Sequence, residues 1–246
     1  MKGITPAILL SLALSHNALA GTMGTSPDPL RPVVTLSLGP VWTNPGKSQT
    51  ILLQKDLPQT YTSNRQSNTL FSGELFAGLQ APLFNRFHVQ FGLTVAATTS
   101  ANLSGDVWQN ANPEYDNFVY SYKISHSRVA MKAKLLTDFQ NVVQPYISVS
   151  VGPGFNQAFH YSSMPKIPEV FEEAPFNPRT IAALTYTLGA GIQKSIYNHW
   201  AMGAGYEFAD WGRSKLARAF NQTLESGLRL NHHFTHQLQI SLTFIA

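Results

Sequence analysis

The sequence predicts an all-β protein, an eight-stranded antiparallel up-and-down transmembrane β-barrel. Eight segments alternate apolar and polar residues, and the connections between them are long and short in turn. Charged residues make up only 12% of the chain, about half of what a water-soluble domain usually carries. Cysteine is absent, so no disulfide can hold the chain together. Together these observations favour a sheet that closes on itself in lipid.

Strict alternation with period two marks a strand with one apolar and one polar face. The last segment is the most regular, because Leu238, Ile240 and Leu242 alternate with Gln239 and Ser241. We expect its polar face to point into the barrel and its apolar face to contact lipid. The eight segments are 33–42, 70–80, 87–98, 118–136, 146–155, 180–194, 200–211 and 236–246.

The fourth segment changes phase along its length. Tyr122 and Ile124 have even numbers, whereas Val129 and Met131 have odd numbers. One inserted residue would bring both apolar sets to the same face of the sheet. We therefore predict a β-bulge near 125–128.

The connections define the orientation of the barrel. Outer-membrane barrels have short periplasmic turns and longer surface loops. An even number of strands leaves both chain ends on the periplasmic side. The predicted barrel spans 33–246, and its surface loops are 43–69, 99–117, 156–179 and 212–236.

The N-terminus has the pattern of a secretory signal peptide. Lys2 precedes a short apolar run, and Ala18 and Ala20 form a small-x-small cleavage site. The run is shorter than the ~18 residues that a membrane-spanning helix needs. We predict a signal peptide at 1–20 and a periplasmic tail at 21–32.

Charged residues fall on the predicted inward face of the barrel. An eight-stranded barrel is only wide enough for its interior side chains to fill it. We therefore expect a charge-paired network that plugs the lumen, and the alternative is a narrow pore lined by the same charges. The predicted network comprises Glu74, Arg128, Lys132, Lys134 and Glu207.

Aromatic residues at the ends of the strands predict two belts at the lipid headgroups. The residues near the surface loops are Trp42, Trp108, Tyr120, Tyr122 and Trp211, and those near the periplasmic turns are Phe84, Phe87, Phe139, Tyr197, Trp200 and Phe244.

The signal peptide, the eight alternating strands, the aromatic strand ends and the C-terminal strand resemble the small outer-membrane β-barrel family of Gram-negative bacteria. This family includes the opacity and OmpA-type membrane domains, and the resemblance covers Val33 to Ala246. It implies an outer-membrane location and contact with membrane lipid and lipopolysaccharide. It also implies recognition of the last strand by the barrel assembly machinery, near Phe244. Family members usually end on an aromatic residue, whereas Ile245 and Ala246 follow Phe244 here.

The favoured function is a structural or surface-interaction role, with host or surface ligands at the loops, or a narrow porin-like channel. One alternative is an enzyme that acts on lipid A. His160 and Ser162 resemble the His-x-Ser motif of lipid A deacylases, as base and nucleophile, although Ser163 stands where that motif has Asn. A second alternative is a soluble lipocalin-like barrel, which needs an apolar interior. We predict no cofactor and no catalytic residue.

Arg213, Lys215 and Arg218 form the densest basic cluster, in the last predicted surface loop. These cations are candidates for contacts with lipopolysaccharide phosphates. Basic residues are otherwise scattered, which argues against nucleic-acid binding. A metal site at His232, His233 and His236 is not favoured, because no nearby carboxylate cluster completes it.

Overall fold

The computed structural model describes residues 30–64, 67–84, 86–139, 143–168, 175–220 and 222–246. The predicted signal peptide and residues 21–29 of the predicted tail lie outside this part. Thirteen strands lie within it. Their bounds are β1 Arg31–Thr43, β2 Gln49–Gln54, β3 Leu57–Tyr61, β4 Asn68–Phe84, β5 Phe87–Thr98, β6 Ala101–Gln109, β7 Asp116–Thr137, β8 Gln144–Pro165, β9 Arg179–Tyr197, β10 Trp200–Asp210, β11 Ser214–Lys215, β12 Arg229–Leu230 and β13 Phe234–Ile245.

Eight of these strands form a closed ring, in the order β1, β4, β5, β7, β8, β9, β10 and β13. Every pair in the ring is antiparallel. β13 pairs with β1 from Ile245 opposite Val33 to Thr235 opposite Thr43, which closes the ring. Closure satisfies the backbone groups of both edge strands, which would be costly to leave unpaired in lipid. The predicted fold class is confirmed.

A short 3₁₀ helix, Pro113–Tyr115, lies between β6 and β7. Within the described ranges, no helix is long and apolar enough to cross a membrane.

The outer face of the ring is apolar and its inner face is polar. On β13, Leu238 and Ile240 are 50% and 65% exposed, whereas Gln239 and Thr243 are 8% and 1% exposed. The other ring strands expose similar residues, among them Leu36, Leu75, Phe91, Met131, Val149, Leu188 and Met202. A continuous apolar belt of this kind requires lipid around it. The arrangement is the opposite of a soluble ligand-binding barrel, so the lipocalin-like alternative is not supported.

The barrel wall continues beyond the membrane at one end. In the predicted orientation this end faces the cell surface, so we call it the surface end and the opposite end the periplasmic end. β7 and β8 are 22 residues long, about twice the ~9–11 residues that cross the hydrocarbon. β6 continues the line of β5 along the upper half of β7. The predicted loops 99–117 and 156–179 therefore contain strand, namely β6 and the upper part of β8. The hairpin β2–β3 extends the sheet beside β6.

β7 has no change of phase, so the predicted bulge near 125–128 is wrong. Tyr122 and Ile124 are buried on the same inward parity as Arg128 and Lys132. Above the membrane the outer face meets water, so the apolar side chains turn inward there. The register shift between β7 and β8 lies higher, where Ser121 pairs with Ser162 and Lys123 pairs with Phe159. The extra residue is on β8, where His160 has a φ of 52°.

The predicted aromatic belts are correct only in part. Phe87, Phe139, Tyr197 and Trp200 are exposed near the periplasmic turns, as is Phe244; the side chain of Phe84 lies outside the described part. At the surface end, the side chains of Tyr120, Tyr122 and Trp211 are instead buried inside the upper barrel. Burial among other apolar side chains removes more of their surface from water than a headgroup position would.

Candidate functional site

Two cations and two carboxylates form a closed network across the lumen. Arg128 Nη2 donates to Glu74 Oε2 at 2.6 Å and to Glu207 Oε1 at 2.7 Å. Lys132 Nζ donates to Glu207 Oε2 at 3.0 Å and to Glu74 Oε1. Each carboxylate therefore accepts from both cations, and the four charges balance. All four side chains are at most 9% exposed, so the network crosses the lumen without contact with bulk water.

Three strands spaced around the ring supply this network. Arg128 and Lys132 lie on β7, Glu74 lies on β4, and Glu207 lies on β10. Their spacing follows from strand geometry, because residues four apart on one strand share a face. Breaking a buried ion pair leaves an uncompensated charge. The network therefore ties opposite walls of the barrel together.

Lys134, the fifth predicted member, lies outside the network. Its Nζ donates to Gln193 Oε1 at 2.6 Å and lies 3.9 Å from the centroid of the Tyr146 ring. Gln193 Nε2 donates to Gln144 Oε1 at 3.0 Å, and Gln144 Nε2 donates to Asp138 Oδ1 at 2.5 Å. Two amide dipoles thus connect the buried ammonium to a carboxylate at the periplasmic rim.

Aromatic rings on the inward face fill the lumen beside the charges. The Tyr146 side chain lies against Gly191 and Gly205. A Cβ added at Gly191 would lie 2.7 Å from its Cζ, and one added at Gly205 would lie 2.2 Å from its hydroxyl oxygen. Phe76 lies against Gly78 in the same way, at 2.8 Å. A cavity of about 30 Å³ remains among these groups. That volume holds roughly two water molecules.

An apolar core closes the surface end of the barrel. Side chains from β2, β3, β6, the upper half of β7 and the loop after β10 pack inside the wall, and we call this part the cap. Tyr61, Tyr120, Tyr161 and Phe176 make ring contacts with centroid separations of 4.9–6.2 Å. Other members are Val41, Ile51, Leu103, Val107, Phe118, Tyr122, Ile124, Trp211, Leu216 and Leu228.

A histidine–tryptophan stack lies between the cap and the charged network. The rings of His126 and Trp211 are parallel, with 4.5 Å between their centroids. The His233 ring contacts the Trp211 ring edge-on, with 4.8 Å between their centroids. Asn156 Oδ1 accepts from His126 Nδ1 at 2.7 Å, and Asn156 Nδ2 donates to the carbonyl of Trp211 at 2.7 Å. Burial lowers the pKa of His233 to about 4, and the nearby Asp210 carboxylate acts in the opposite direction.

Two adjoining clefts on the outside of the cap are basic. One, of about 430 Å³, is lined by Arg179, Arg213, Lys215 and Arg229, among others. The second, of about 490 Å³, shares Arg229, Leu230 and Asn231 with the first and adds Lys47, His232 and His236. Neither lining contains a carboxylate side chain. The two clefts together, here called the basic cleft, provide an anion-binding surface.

The structure places only two of the three predicted surface cations in the basic cleft. Arg213 and Lys215 line it, whereas Arg218 Nε donates to the carbonyl of Glu225 at 2.5 Å. Sequence reasoning missed Arg179 and Arg229, because they lie far apart along the chain and belong to different strands. The pairing of β11 with β12 places Arg229 opposite Lys215, and Arg179 of β9 lines the same cleft.

The proposed deacylase pair is not assembled as a catalytic site. His160 and Ser162 lie on the exposed side of β8. The described residues include no hydrogen bond between these two side chains and no carboxylate that orients His160. A serine nucleophile needs a base within hydrogen-bond reach and a third group that orients the base.

The three neighbouring histidines have separate partners. His232 Nδ1 lies 2.8 Å from Asp210 Oδ2, His233 Nε2 lies 2.7 Å from Thr43 Oγ1, and His236 Nδ1 lies 2.5 Å from the Tyr206 hydroxyl. In the part of the chain that the structure describes, no group of three or more His, Cys, Asp or Glu side chains is placed to hold a metal ion.

Comparisons with known proteins identify similar folds. No protein-family model and no curated protein sequence matches this chain. Outer membrane protein OprG from Pseudomonas aeruginosa is 12% identical over 86% of this chain and 95% of its own, with a TM-score of 0.48. Neisserial surface protein A is 11% identical over 87% and 96%, with a TM-score of 0.42. The outer membrane protease OmpT from Escherichia coli is 7% identical over 92% and 99%, with a TM-score of 0.45. The barrel architecture rests on the closed eight-stranded ring and its apolar outer face, and not on these similarities. At these identities and TM-scores the similarities say nothing about activity.

Proposed function

We propose that this protein is a non-conducting outer-membrane barrel that presents a folded cap at the cell surface and binds phosphate groups of lipopolysaccharide in the basic cleft. The observation that carries the proposal is the cleft itself, which gathers Arg179, Arg213, Lys215 and Arg229 without a carboxylate. Arginine binds phosphate oxygens with charge-assisted and often bidentate hydrogen bonds.

The surroundings of the cleft support a glycolipid as its ligand. On the outer face of β10 and β13, Tyr206, Phe208, Phe234 and His236 form a row of ring contacts. Such amphipathic rings favour the headgroup level of a membrane. His236 belongs to this row and also lines the cleft. The cleft therefore adjoins the level at which lipid A phosphates lie.

Binding of purified lipopolysaccharide to the refolded protein tests this function. Arg229→Gln combined with Lys215→Gln removes two cations that face each other across β11 and β12. We expect the Kd to rise about tenfold or more, since hydrogen bonds to charged groups contribute about 1.5–3 kcal/mol each. Arg86→Gln, which changes an exposed cation at the periplasmic turn, is the matched control and should bind normally. Equal affinity for dephosphorylated lipid A would contradict phosphate recognition.

The closed lumen is the second part of the proposal. The charge network of Glu74, Arg128, Lys132 and Glu207 and the apolar cap above it both support it. In planar lipid bilayers we expect no steady single-channel current. Large and stable conductance steps that scale with salt would overturn the plug and favour the narrow porin-like channel.

The C-terminal strand is proposed to carry the signal for the barrel assembly machinery. Phe244 lies on the lipid-facing side of β13 and contacts Trp200 at 5.1 Å between ring centroids. Its outward parity is the one that an assembly factor can contact before the barrel closes. Phe244→Ala should reduce the amount of heat-modifiable barrel in membranes, and Tyr197→Ala, at a neighbouring exposed aromatic, is the control.

A further inference from the structure

The inward-facing charges of the membrane-embedded barrel do not balance. Arg128 and Lys132 are matched by Glu74 and Glu207 in the network described above. Lys134 is a third basic side chain, and its ammonium contacts an amide oxygen and an aromatic ring. The Asp138 carboxylate reaches it only through two glutamines and is itself about 30% exposed at the rim. With Lys134 protonated, the described lumen therefore carries one excess positive charge.

Lipid surrounds this charge on the outside of the wall. The free energy of a buried ion rises steeply as the surrounding dielectric constant falls, and a counter-charge lowers it. An ordinary soluble protein can screen such a lysine with solvent and mobile ions. Inside the barrel, an ion held in the lumen can do so.

The cavity of about 30 Å³ adjoins this lysine. Its lining includes Lys134, the hydroxyl-bearing residues Ser37, Ser148 and Tyr146, and the side chains of Gln239 and Ser241. Gln239 Nε2 and Ser241 Oγ are buried and have no hydrogen-bond partner. Buried polar atoms of this kind normally have a partner. The cavity lining therefore contains unused donors on β13 as well as the unbalanced Lys134 on β7.

Free carbonyl and carboxylate oxygens in the cavity lining are fewer than these donors. Gln90 Oε1 is buried and unpaired, while the carboxylates of Glu74 and Glu207 are already occupied by Arg128 and Lys132. Apart from the ion-paired side chains of Glu74, Lys132 and Glu207, the cavity thus offers the Lys134 ammonium and one free amide N–H group against one free carbonyl. Several hydroxyls, which can donate as well as accept, complete the lining. This chemistry suits an acceptor-only guest with a negative charge.

We propose that this cavity is a binding site for a single monovalent halide, chloride under physiological conditions. Its small volume, about 30 Å³, favours a monatomic anion over phosphate or a carboxylate-bearing metabolite. The bound anion neutralises the charge of Lys134, accepts hydrogen bonds from Gln239 Nε2 and Ser241 Oγ, and completes the plug on the periplasmic side of the ion-pair network.

Bromide replacement tests the site directly. The full-length mature barrel is refolded and crystallised in sodium bromide, and anomalous diffraction is recorded at the bromine absorption edge. We expect one internal peak within hydrogen-bond distance of Gln239 Nε2 and Ser241 Oγ. A cavity that contains only water density in bromide overturns the proposal.

Paired variants identify Lys134 as the source of the attraction. Lys134→Met keeps the length of the side chain and removes its charge, and it should lose the internal bromide peak. Lys194→Met, which changes an exposed lysine on β9, is the control and should keep it. A peak that persists in Lys134→Met contradicts the charge argument.

Thermal unfolding covers the case in which Lys134→Met does not fold. The Tm of the unsubstituted protein should rise with the logarithm of chloride concentration when gluconate holds the ionic strength constant, because a ligand of the folded state stabilises it by mass action. An equal Tm in chloride and gluconate would count against the site.

Discussion

The lower and upper halves of β7 share one backbone geometry and differ in what they bury. In the lower half, Arg128, Lys132 and Lys134 point into the lumen while Val129 and Met131 face outward. In the upper half the inward parity carries Tyr120, Tyr122 and Ile124 instead. The outward side chains there include Ser121, Lys123 and Ser125. The inward face of β7 is therefore charged in the lower half and mostly apolar in the upper half, and the outward face changes in the opposite sense.

The comparison teaches that the surrounding medium decides which face of a strand is apolar. In lipid, the outer face gains nothing from polarity, and the interior must pair its own charges. Above the membrane, water surrounds the wall, and the hydrophobic effect drives apolar side chains inward as in a soluble protein. The cap is therefore an ordinary hydrophobic core built on an inverted barrel.

The largest expected effect comes from breaking the charge network. Glu207→Gln leaves Arg128 and Lys132 with one carboxylate between them, and we expect a loss of about 3–5 kcal/mol in the free energy of unfolding. Urea titration of the protein folded in lipid vesicles measures it. Glu114→Gln, at an exposed position in the 3₁₀ helix, should leave stability unchanged. A change under 1 kcal/mol for Glu207→Gln would show that the network is not a support of the barrel.

The cap should respond independently of the embedded half. Tyr122→Ala removes a buried aromatic ring, which costs about 3–5 kcal/mol in ordinary cores, and here we expect that loss in the cap alone. Limited proteolysis should cut the surface segments of the variant while the embedded strands stay protected and heat-modifiable. Val119→Ala, on the exposed side of the same strand, is the control. Loss of heat-modifiability in Tyr122→Ala would mean that the two halves unfold together.

A charge placed on the outer face measures the boundary between lipid and water. Met131→Lys puts an ammonium against acyl chains and should cost about 2–4 kcal/mol. Val119→Lys puts the same group in water on the same strand and should change stability by about 0.5 kcal/mol or less. Both values come from urea titration in vesicles. Equal costs at the two positions would place the upper half of β7 in the membrane.

The smallest effect is a dependence of the cap on pH. His233 contacts Thr43 and the Trp211 ring, its backbone N–H donates to Asp210, and His126 and His232 are the other titratable neighbours. Burial lowers its folded pKa to about 4, below the unfolded value of about 6.5. The unfolded state therefore binds more protons between these values. Stability is complete above about pH 6.5 and declines as the pH falls toward 4.

Acidification from pH 6.5 to 5.5 should lower the stability of the cap by about 1 kcal/mol through His233. Urea-driven opening of the cap, followed by tryptophan fluorescence at several pH values, measures this dependence. His233→Gln should weaken it, whereas His199→Gln, at an exposed turn position, should preserve it. A pH profile that His233→Gln leaves unchanged would assign the dependence to other groups.

Much of the embedded barrel could be predicted because its pattern is local. The parity of Leu238 and Gln239, the inward position of Glu74 and Glu207, and the even strand number all follow from alternation and connection length. The cap could not be predicted in the same way. Tyr122 and Ile124 are large and mostly apolar like Val129 and Met131, and the sequence does not show that the first pair is buried inside the cap while the second faces lipid. A bulge was therefore inferred where none exists.

The sequence by itself determined the strands, their two faces and the charges available to the lumen, because alternation with a period of two is a property of neighbouring residues. Tertiary structure alone decided how far β7 and β8 rise above the membrane. It also decided that Lys134 donates to Gln193 instead of joining the ion-pair network, and that Arg179, Lys215 and Arg229 share one cleft. These outcomes depend on the register between strands and on the path of the surface segments, which are set by interactions between residues far apart in the chain.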